Sequence, residues 1–282
     1  MTISIVDHEL PDDTHNLYDV IFYGLSVRTL LTYSPPIASS WLSSRGSQPL
    51  LVGFDIEWRP NFSRNVDNRV AILQLSVGLH CLIFQLLQAP EIPPPLADFL
   101  RDPSHVFVGI GIDEDVEKLL CDHGLGVANA VDLRDLAARE LGREELRRAG
   151  LKTLAKEVLG REIDKPKRVT TSRWDNPWLT SVQVQYACLD AFVSLQIGEA
   201  LNAGGARPGG PGDGGSRLGC CLSALLVLIP LDTDMVLRWC LLIIVLSLIC
   251  VSNTMYKHGS GGAVGAFDSN SLCELNRNMQ EE

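Results

Sequence analysis

The sequence has 282 residues, 46% of them hydrophobic, and a formal net charge of −10. This length allows one large domain or two small ones, and the acidic balance excludes nucleic-acid binding driven by bulk positive charge. The eight cysteines show no C-x-x-C spacing and the six histidines are scattered, so no zinc site is expected. The N-terminus has no basic stretch followed by an apolar core, so we expect no secretory signal.

The first half of the chain favours β-strands. Residues 1–16 are polar, and we expect a flexible N-terminus there. Five runs rich in β-branched and aromatic residues, bounded by turn residues, then predict strands. The last three are closely spaced and should form an antiparallel meander. These strands are Leu17–Tyr23, Val27–Thr32, Leu51–Trp58, Val70–Val77 and His80–Gln85.

In the second half the apolar residues recur mainly at helical spacing. Two strands interrupt the helices, a buried one at His105–Ile110 and another at Val127–Val131. The predicted helices are Pro93–Arg101, one beginning near Asp113, Leu133–Leu141, Leu151–Leu159 and Ser181–Asn202. Antiparallel strands followed by alternating strands and helices predict an α/β fold with a mixed five- to six-stranded sheet flanked by helices.

The strand Leu51–Trp58 carries two carboxylates on one face. Side chains alternate along a strand, so Asp55 and Glu57 lie together, opposite the apolar Val52, Phe54 and Ile56. Two like charges at this spacing repel each other unless something positive lies between them. Two interpretations stay open, namely an amphipathic strand with a solvated face, or half of a site for Mg²⁺ or Mn²⁺.

Further carboxylates stand at two helices. Asp113 is expected to cap a helix N-terminus, which leaves Asp115, next to the apolar stripe, as the better ligand candidate. The preceding Gly109-x-Gly111 lacks the third glycine of a dinucleotide loop, and the acids after it would repel a pyrophosphate. Tyr186 and Asp190 share one helix face because they are four residues apart. Each of these features alone is also typical of an ordinary protein surface.

In combination, these residues resemble those of a known enzyme family. The motifs that carry the resemblance are Phe54-Asp55-Ile56-Glu57-Trp58, Ala71-x-Leu73-Gln74-Leu75, Gly109-x-Gly111-Ile112-x-x-Asp115, Leu151-x-x-Leu154 and Tyr186-Ala187-x-x-Asp190-Ala191. They resemble the DEDD exonuclease superfamily, in the branch whose third motif carries a tyrosine. They look most like the Werner-syndrome-type 3′–5′ exonuclease domains, particularly the small plant proteins, over residues 17–203.

The resemblance implies an RNase H-like (DnaQ-like exonuclease) fold and metal-dependent 3′–5′ removal of nucleotides, with DNA as the expected substrate. It implies two Mg²⁺ or Mn²⁺ ions, with Asp55 bridging them, Glu57 and Asp190 holding the first, and Asp115 supporting the second. Tyr186 would orient the attacking water. Independently, four clustered acids without a metal would leave an uncompensated like-charge cluster, so clustering itself favours metal binding.

Substrate contacts are expected outside the acidic cluster. Between Arg143 and Arg173 we count ten Lys/Arg against five Asp/Glu. This region is either a solvated surface or a track for the nucleic-acid backbone, with Lys165, Lys167, Arg168 and Arg173 as candidates. Trp58 and Leu75 are candidates for stacking on or wedging the terminal base, and a plain core role is the alternative for both. The expected partner is a single strand or the 3′ end of a duplex.

The C-terminal part differs in composition. Residues 204–219 have linker composition, 220–252 hold two apolar runs, and 253–282 are expected to be disordered. Each apolar run is shorter than the roughly twenty residues that span hydrocarbon. We expect a nuclear or cytoplasmic protein, with a helicase or end-binding factor as a protein partner. The alternatives are a catalytically silent binding or scaffolding domain, or a protein tethered to a membrane through 220–252.

Overall fold

The computed structural model describes residues 3–8, 10, 14–61 and 67–205. The strands are β1 (Ile3–His8), β2 (His15–Phe22), β3 (Leu25–Thr32), β4 (Leu51–Trp58), β5 (Val70–Val77), β6 (His80–Phe84), β7 (Val106–Gly109) and β8 (Ala130–Asp132). The α-helices are α1 (Pro35–Ser43), α2 (Pro94–Arg101), α3 (Ile112–His123), α4 (Leu133–Leu141), α5 (Leu151–Leu159), α6 (Lys167–Thr170) and α7 (Ser181–Ala200). Short 3₁₀ turns lie at Glu144–Arg148 and Ala203–Gly205.

All eight strands form one mixed sheet in the order β1-β2-β3-β6-β5-β4-β7-β8. The predicted antiparallel meander is confirmed as β4-β5-β6, whereas β3 with β6, β4 with β7, and β7 with β8 pair in parallel. Since β4 and β6 each run antiparallel to β5, they point the same way, and β3 follows β6. The carboxyl ends of β3, β4 and β6 therefore lie at one edge of the sheet, called here the carboxyl edge.

The sheet has more strands than the five or six predicted. Its outermost strand, β1, lies inside the segment 1–16 that we expected to be flexible, and it pairs antiparallel with β2. Ile3 and Ile5 pack partly buried against the core, while Val6 and Asp7 face solvent. This short edge strand is only half-buried, so the alternation of apolar and polar residues along it is weak. The surrounding residues are polar, and the sequence therefore did not predict a strand there.

Helices cover both faces of the sheet and give two hydrophobic layers. The layer under α4, α5 and α7 includes Phe22, Ile72 and Phe192. The layer under α1, α2 and α3 includes Phe54, Leu75 and Leu96. The α/β architecture with a helix-flanked mixed sheet is thus as predicted.

Helix α7 packs directly onto β4. Its start is fixed by a capping box in which Thr180 and Gln183 each bond the other's backbone N–H. Gly53 on β4 allows the close approach, because a Cβ there would overlap the backbone carbonyl oxygen of Ala191. The C-terminal half of α7 lies near the start of β4, so its N-terminus points toward the carboxyl edge. This contact brings residue 190 next to residue 55.

Among the described residues, every helix is too short or too polar to cross a lipid bilayer. The predictions for the linker beyond residue 205, the apolar runs in 220–252 and the C-terminal residues 253–282 lie outside the described part of the chain.

Candidate active site

Three of the predicted ligands form a compact acidic cluster. Asp55 and Glu57 project from the same face of β4, and Asp190 projects from α7 above them. One carboxylate oxygen from each lies within 4.8 Å of the others. Asp190 is 4% exposed, while Asp55 and Glu57 are half-buried. We call Asp55, Glu57 and Asp190 the acid cluster.

The acid cluster is electrostatically strained. Burial raises the pKa of Asp55 well above its usual range, and the nearby Asp190 and Asp115 carboxylates raise it further. Burial and the Asp55 and Asp190 charges likewise raise the pKa of Glu57. Burial also raises the pKa of Asp190, against the opposing effect of Lys165. Groups so placed either hold protons or gather positive charge.

Lys165 supplies positive charge to the acid cluster. Its Nζ lies 2.7 Å from Asp190 Oδ2, and its side chain is 32% exposed. Burial lowers the pKa of Lys165, but the Asp190 and Asp55 charges outweigh burial and raise it above its usual range. The ammonium group therefore stays charged and occupies a position suited to a cation.

Asp115 lies apart from the acid cluster but within its electrostatic reach. Burial, followed by the charges of Glu114 and Asp132, raises the pKa of Asp115 to about 7. It projects from the first turn of α3, and the turn before that helix is held by Gly111 N–H donating to Asp132 Oδ2 at 2.9 Å. The N-cap is Gly111, which has a positive φ of 69°, and not the predicted Asp113, which is exposed.

Tyr186 lies one turn before Asp190 on α7. Its hydroxyl accepts a hydrogen bond from Thr170 Oγ1 at 3.2 Å, and its ring packs against Trp174 at 5.9 Å between centroids. Lys165 Nζ lies 5.1 Å from the ring centroid. Burial, followed by the Asp190 charge, raises the pKa of the phenol, so Tyr186 remains protonated at neutral pH. A neutral phenol in this position can orient a water or a phosphate oxygen.

An open cavity of about 260 Å³ adjoins the acid cluster. Its walls combine carboxylates, two lysines and a few apolar side chains. The lining residues are Asp55, Ile110, Gly150, Leu151, Lys152, Lys165, Asp190 and Ser194. Acidic and basic groups thus converge on one space, as required for binding a metal together with a phosphate.

A family model described as 3′–5′ exonuclease matches residues 37–204, which include all the residues of the acid cluster together with Asp115 and Tyr186. The chain belongs to the 3′–5′ exonuclease family. It is 36% identical over 152 residues to a 3′–5′ exonuclease of Arabidopsis thaliana, a match that covers 53% of this chain and 52% of that protein. It is 35% identical over 161 residues to the bifunctional 3′–5′ exonuclease/ATP-dependent helicase WRN of Mus musculus, covering 57% of this chain and 11% of that protein.

Two solved structures share the fold of this exonuclease domain. Escherichia coli RNase D superposes with a TM-score of 0.53 at 23% identity, covering 62% of this chain and 44% of that one. The EXO domain of Aedes aegypti Nibbler superposes with a TM-score of 0.53 at 21% identity, covering 62% of this chain and 87% of that one. The fold is therefore RNase H-like, as expected. The chain spans about half the length of the Arabidopsis relative and about a tenth of the mouse one.

Two predicted substrate contacts of the exonuclease domain pack against the hydrophobic layer on the other face of the sheet. Leu75 is 0% exposed and pairs with Phe54 on the face of the sheet opposite the acid cluster. It belongs to the core, so its proposed contact with a base is wrong. Trp58 also packs against that layer, after a register shift at the end of β4, and Lys118 Nζ lies 5.3 Å from its ring. No described contact brings Trp58 to the acid cluster.

The predicted basic residues occupy different situations in the exonuclease domain. Lys167 and Arg168 are exposed on α6, and no ion pair is found for them within the described residues. Arg173 donates to Asp175 at 3.1 and 3.2 Å, so much of its charge is already compensated. Lys165 contacts the acid cluster directly. Ion pairs inside the domain therefore compensate part of the local excess of positive charge.

The sequence reasoning missed three residues of the site. Lys152 and Ser194 line the cavity, and Ser194 could have been found from its spacing of four residues after Asp190. Gln74 lies directly opposite Asp55 on β5 and is 0% exposed. Both of its amide atoms lack a hydrogen-bond partner within the described residues. A buried amide without a partner is costly, so Gln74 is available to a group bound beside Asp55.

Proposed function

We propose that this chain is a metal-dependent 3′–5′ exonuclease that hydrolyses the terminal phosphodiester of a nucleic-acid strand. The observation that carries the proposal is the acid cluster, with three carboxylate oxygens within 4.8 Å and Tyr186 one turn away. Family membership supports a nucleic-acid substrate, and we propose DNA as the preferred one.

The donor set fits a hard divalent cation. Mg²⁺ and Mn²⁺ prefer carboxylate oxygens, and Asp55, Glu57 and Asp190 offer only such ligands. The charged Lys165 beside Asp190 supports the same conclusion, since a cation is already accommodated there. We propose that the acid cluster holds Mg²⁺ or Mn²⁺, with Asp115 contributing to a second ion. Such a pair of ions stabilises the charge on the attacking and leaving oxygens of an in-line displacement.

The other residues have distinct proposed roles. Tyr186 keeps its proton, so its hydroxyl orients the attacking water by hydrogen bonding and does not act as the base. Lys165 and Lys152 place two positive charges at the cavity, where the phosphates of the 3′-terminal nucleotides would lie. Ile110 and Leu151 supply the apolar part of the wall, suited to the sugar.

The test is cleavage of 5′-labelled strands by the full chain. Single-stranded DNA, a duplex with a recessed 3′ end, and RNA of the same sequence are each incubated with Mg²⁺, Mn²⁺ or EDTA. We expect a ladder that shortens from the 3′ end only with a divalent cation, and a faster reaction on DNA. Cleavage in EDTA or from the 5′ end would refute the proposal.

Two variants assign the activity to the acid cluster. Asp190→Asn keeps the size of the side chain but removes a ligand charge, and we expect a loss of roughly 100-fold or more. Asp164→Asn is the matched control, because Asp164 is exposed and immediately precedes Lys165. If Asp190→Asn cleaved as fast as an active Asp164→Asn, Asp190 would be excluded as a ligand.

A further inference from the structure

The segment from Lys165 to Trp178 follows a path fixed by contacts at both ends. It begins at the acid cluster, where Lys165 pairs with Asp190. It then runs beside α7 toward that helix's N-terminus, since Thr170 contacts Tyr186 and Gln183 Nε2 donates to Ser172 Oγ at 3.0 Å. The segment therefore leads away from the acid cluster along the surface of the domain.

The far end of the segment crosses the carboxyl edge of the sheet. Gln88 Nε2 donates to the Asp175 carbonyl at 3.1 Å, and Gln85 Nε2 donates to the Pro177 carbonyl at 3.0 Å. Gln85, which directly follows β6, is 3% exposed, so this second bond lies against the core. The backbone on the N-terminal side of Trp178 is thereby anchored.

Trp178 itself faces solvent. Its side chain is 76% exposed, more than any other large hydrophobic side chain of the described residues, whereas Trp174 in the same segment is 1% exposed. It borders a cavity of about 130 Å³ that Tyr33 also lines. An indole held out from an anchored backbone offers a rigid aromatic surface, and such surfaces are typical of binding sites.

The chemistry along the segment matches a single nucleic-acid strand. Lys167 and Arg168 are exposed between the two ends and can contact phosphates. Nearer Trp178, Asp175 is compensated by both Arg173 and Arg59. Proteins that bind single strands combine such positive groups with aromatic side chains on which bases stack.

The distance along α7 sets the position of the stacked base. Asp190 lies ten residues after the N-cap Thr180, which is about 15 Å at a rise of roughly 1.5 Å per residue. Stacked nucleotides advance by about 3.4 Å, so this distance corresponds to roughly four or five nucleotides.

We propose that Trp178 is a distal stacking site for a base roughly four or five nucleotides upstream of the 3′ end held at the acid cluster. Residues 165–178 form the track between the two. This inference rests on the proposed function, which supplies the position of the 3′ end.

The experiment compares strands that reach Trp178 with strands that do not. Fluorescence anisotropy measures binding of 5′-labelled oligothymidylates of roughly 3 and roughly 10 nucleotides to the full chain in EDTA, where the proposed reaction is arrested. The variants are Trp178→Ala, Trp178→Phe and the control Leu79→Ala. Leu79 is 45% exposed and lies in the turn between β5 and β6, at the opposite edge of the sheet.

We expect Trp178→Ala to weaken binding of the long strand roughly five- to hundredfold and to leave the short strand unchanged, as for loss of one base–aromatic stack. Trp178→Phe should retain most of the long-strand affinity, and Leu79→Ala should bind like the wild type. Equal loss on both strands, no loss, or no length dependence in the wild type would overturn the inference. So would a Trp178→Ala variant that only changes the oligomeric state.

Cleavage by the wild type separates this inference from the proposed function. If the wild type does not shorten strands from the 3′ end but binds long strands through Trp178, the function fails and the stacking site stands. If it cleaves while Trp178→Ala binds the long strand normally, only the stacking site fails.

Discussion

Replacing Lys165 with methionine should lower the thermal stability of the metal-free protein and raise its affinity for a divalent cation. The side chain keeps a similar length but loses the charge that contacts Asp190 at 2.7 Å. The three carboxylates of the acid cluster, with oxygens within 4.8 Å, would then lack their nearest positive group. The domain would have to protonate them or separate them.

The magnitude follows from the geometry. Two unit charges 4.8 Å apart repel by about 3 kcal/mol at an effective dielectric constant of about 20. Breaking a buried ion pair costs about 3–5 kcal/mol, but Lys165 is 32% exposed, so we discount this to about 1–2 kcal/mol. For a domain of this size the melting temperature in EDTA should fall by about 2–8 °C.

The free energy that Lys165 contributes to the metal-free protein should also oppose metal binding. A cation that binds Asp190 must displace Lys165, so removing the ammonium group should tighten Mn²⁺ binding by roughly five- to thirtyfold. Differential scanning fluorimetry and isothermal titration calorimetry measure the two effects. Lys167→Met is the matched control, because Lys167 is exposed and no acidic partner is found for it in the described residues. Equal or weaker Mn²⁺ binding by Lys165→Met would refute the reasoning.

Three further predictions concern turnover, packing and pH. Tyr186→Phe should slow cleavage roughly 10²- to 10³-fold without changing the calorimetric affinity for Mn²⁺; unchanged turnover would remove Tyr186 from the reaction. Gly53→Ala should lower the free energy of unfolding by about 1–3 kcal/mol in urea titrations because its Cβ meets the α7 backbone, whereas Gly126→Ala, with nothing within 4 Å, should not. Without metal, the melting temperature should fall as pH rises from about 4 through the raised carboxylate pKa values, including that of Asp115 at about 7, because the folded state keeps protons that the unfolded chain has released. Asp115→Asn should flatten this slope, and a melting temperature that rises over the same range would contradict the assigned pKa directions.

Local patterns in the sequence were sufficient to predict much of the secondary structure of this domain. Alternation along β4 placed Asp55 and Glu57 on one face, and helical spacing gave the bounds of α4 and α5 as observed. These predictions succeeded because each depends on residues within a few positions of one another. The compact approach of Asp190 to Asp55 came from the family resemblance, since no local pattern reports which helix covers which strand.

Most of what the sequence did not predict has the same physical origin. Leu75 looked available because it lies in the strand next to β4, but helices cover both faces of β5, and seven of its eight residues are buried. Arg173 also pairs with Asp175, only two positions away, and the count of basic residues did not consider this local contact. Lys165 was expected only as a contact for the phosphate backbone, and the sequence did not show that its ammonium group also contacts Asp190. Burial by distant helices and the approach of Lys165 to Asp190 are tertiary effects that one segment does not encode.

The fit of α7 against Gly53 also determines when, during synthesis, the proposed metal site can form. Translation proceeds from the N-terminus, so Asp55 and Glu57 leave the ribosome long before Asp190. A nascent or prematurely terminated chain that stops before α7 holds two carboxylates on a strand, without the helix backbone that packs on Gly53. Under the proposed function, hydrolysis is withheld until α7 has been made, and fragments of this chain that end before α7 do not act as nucleases.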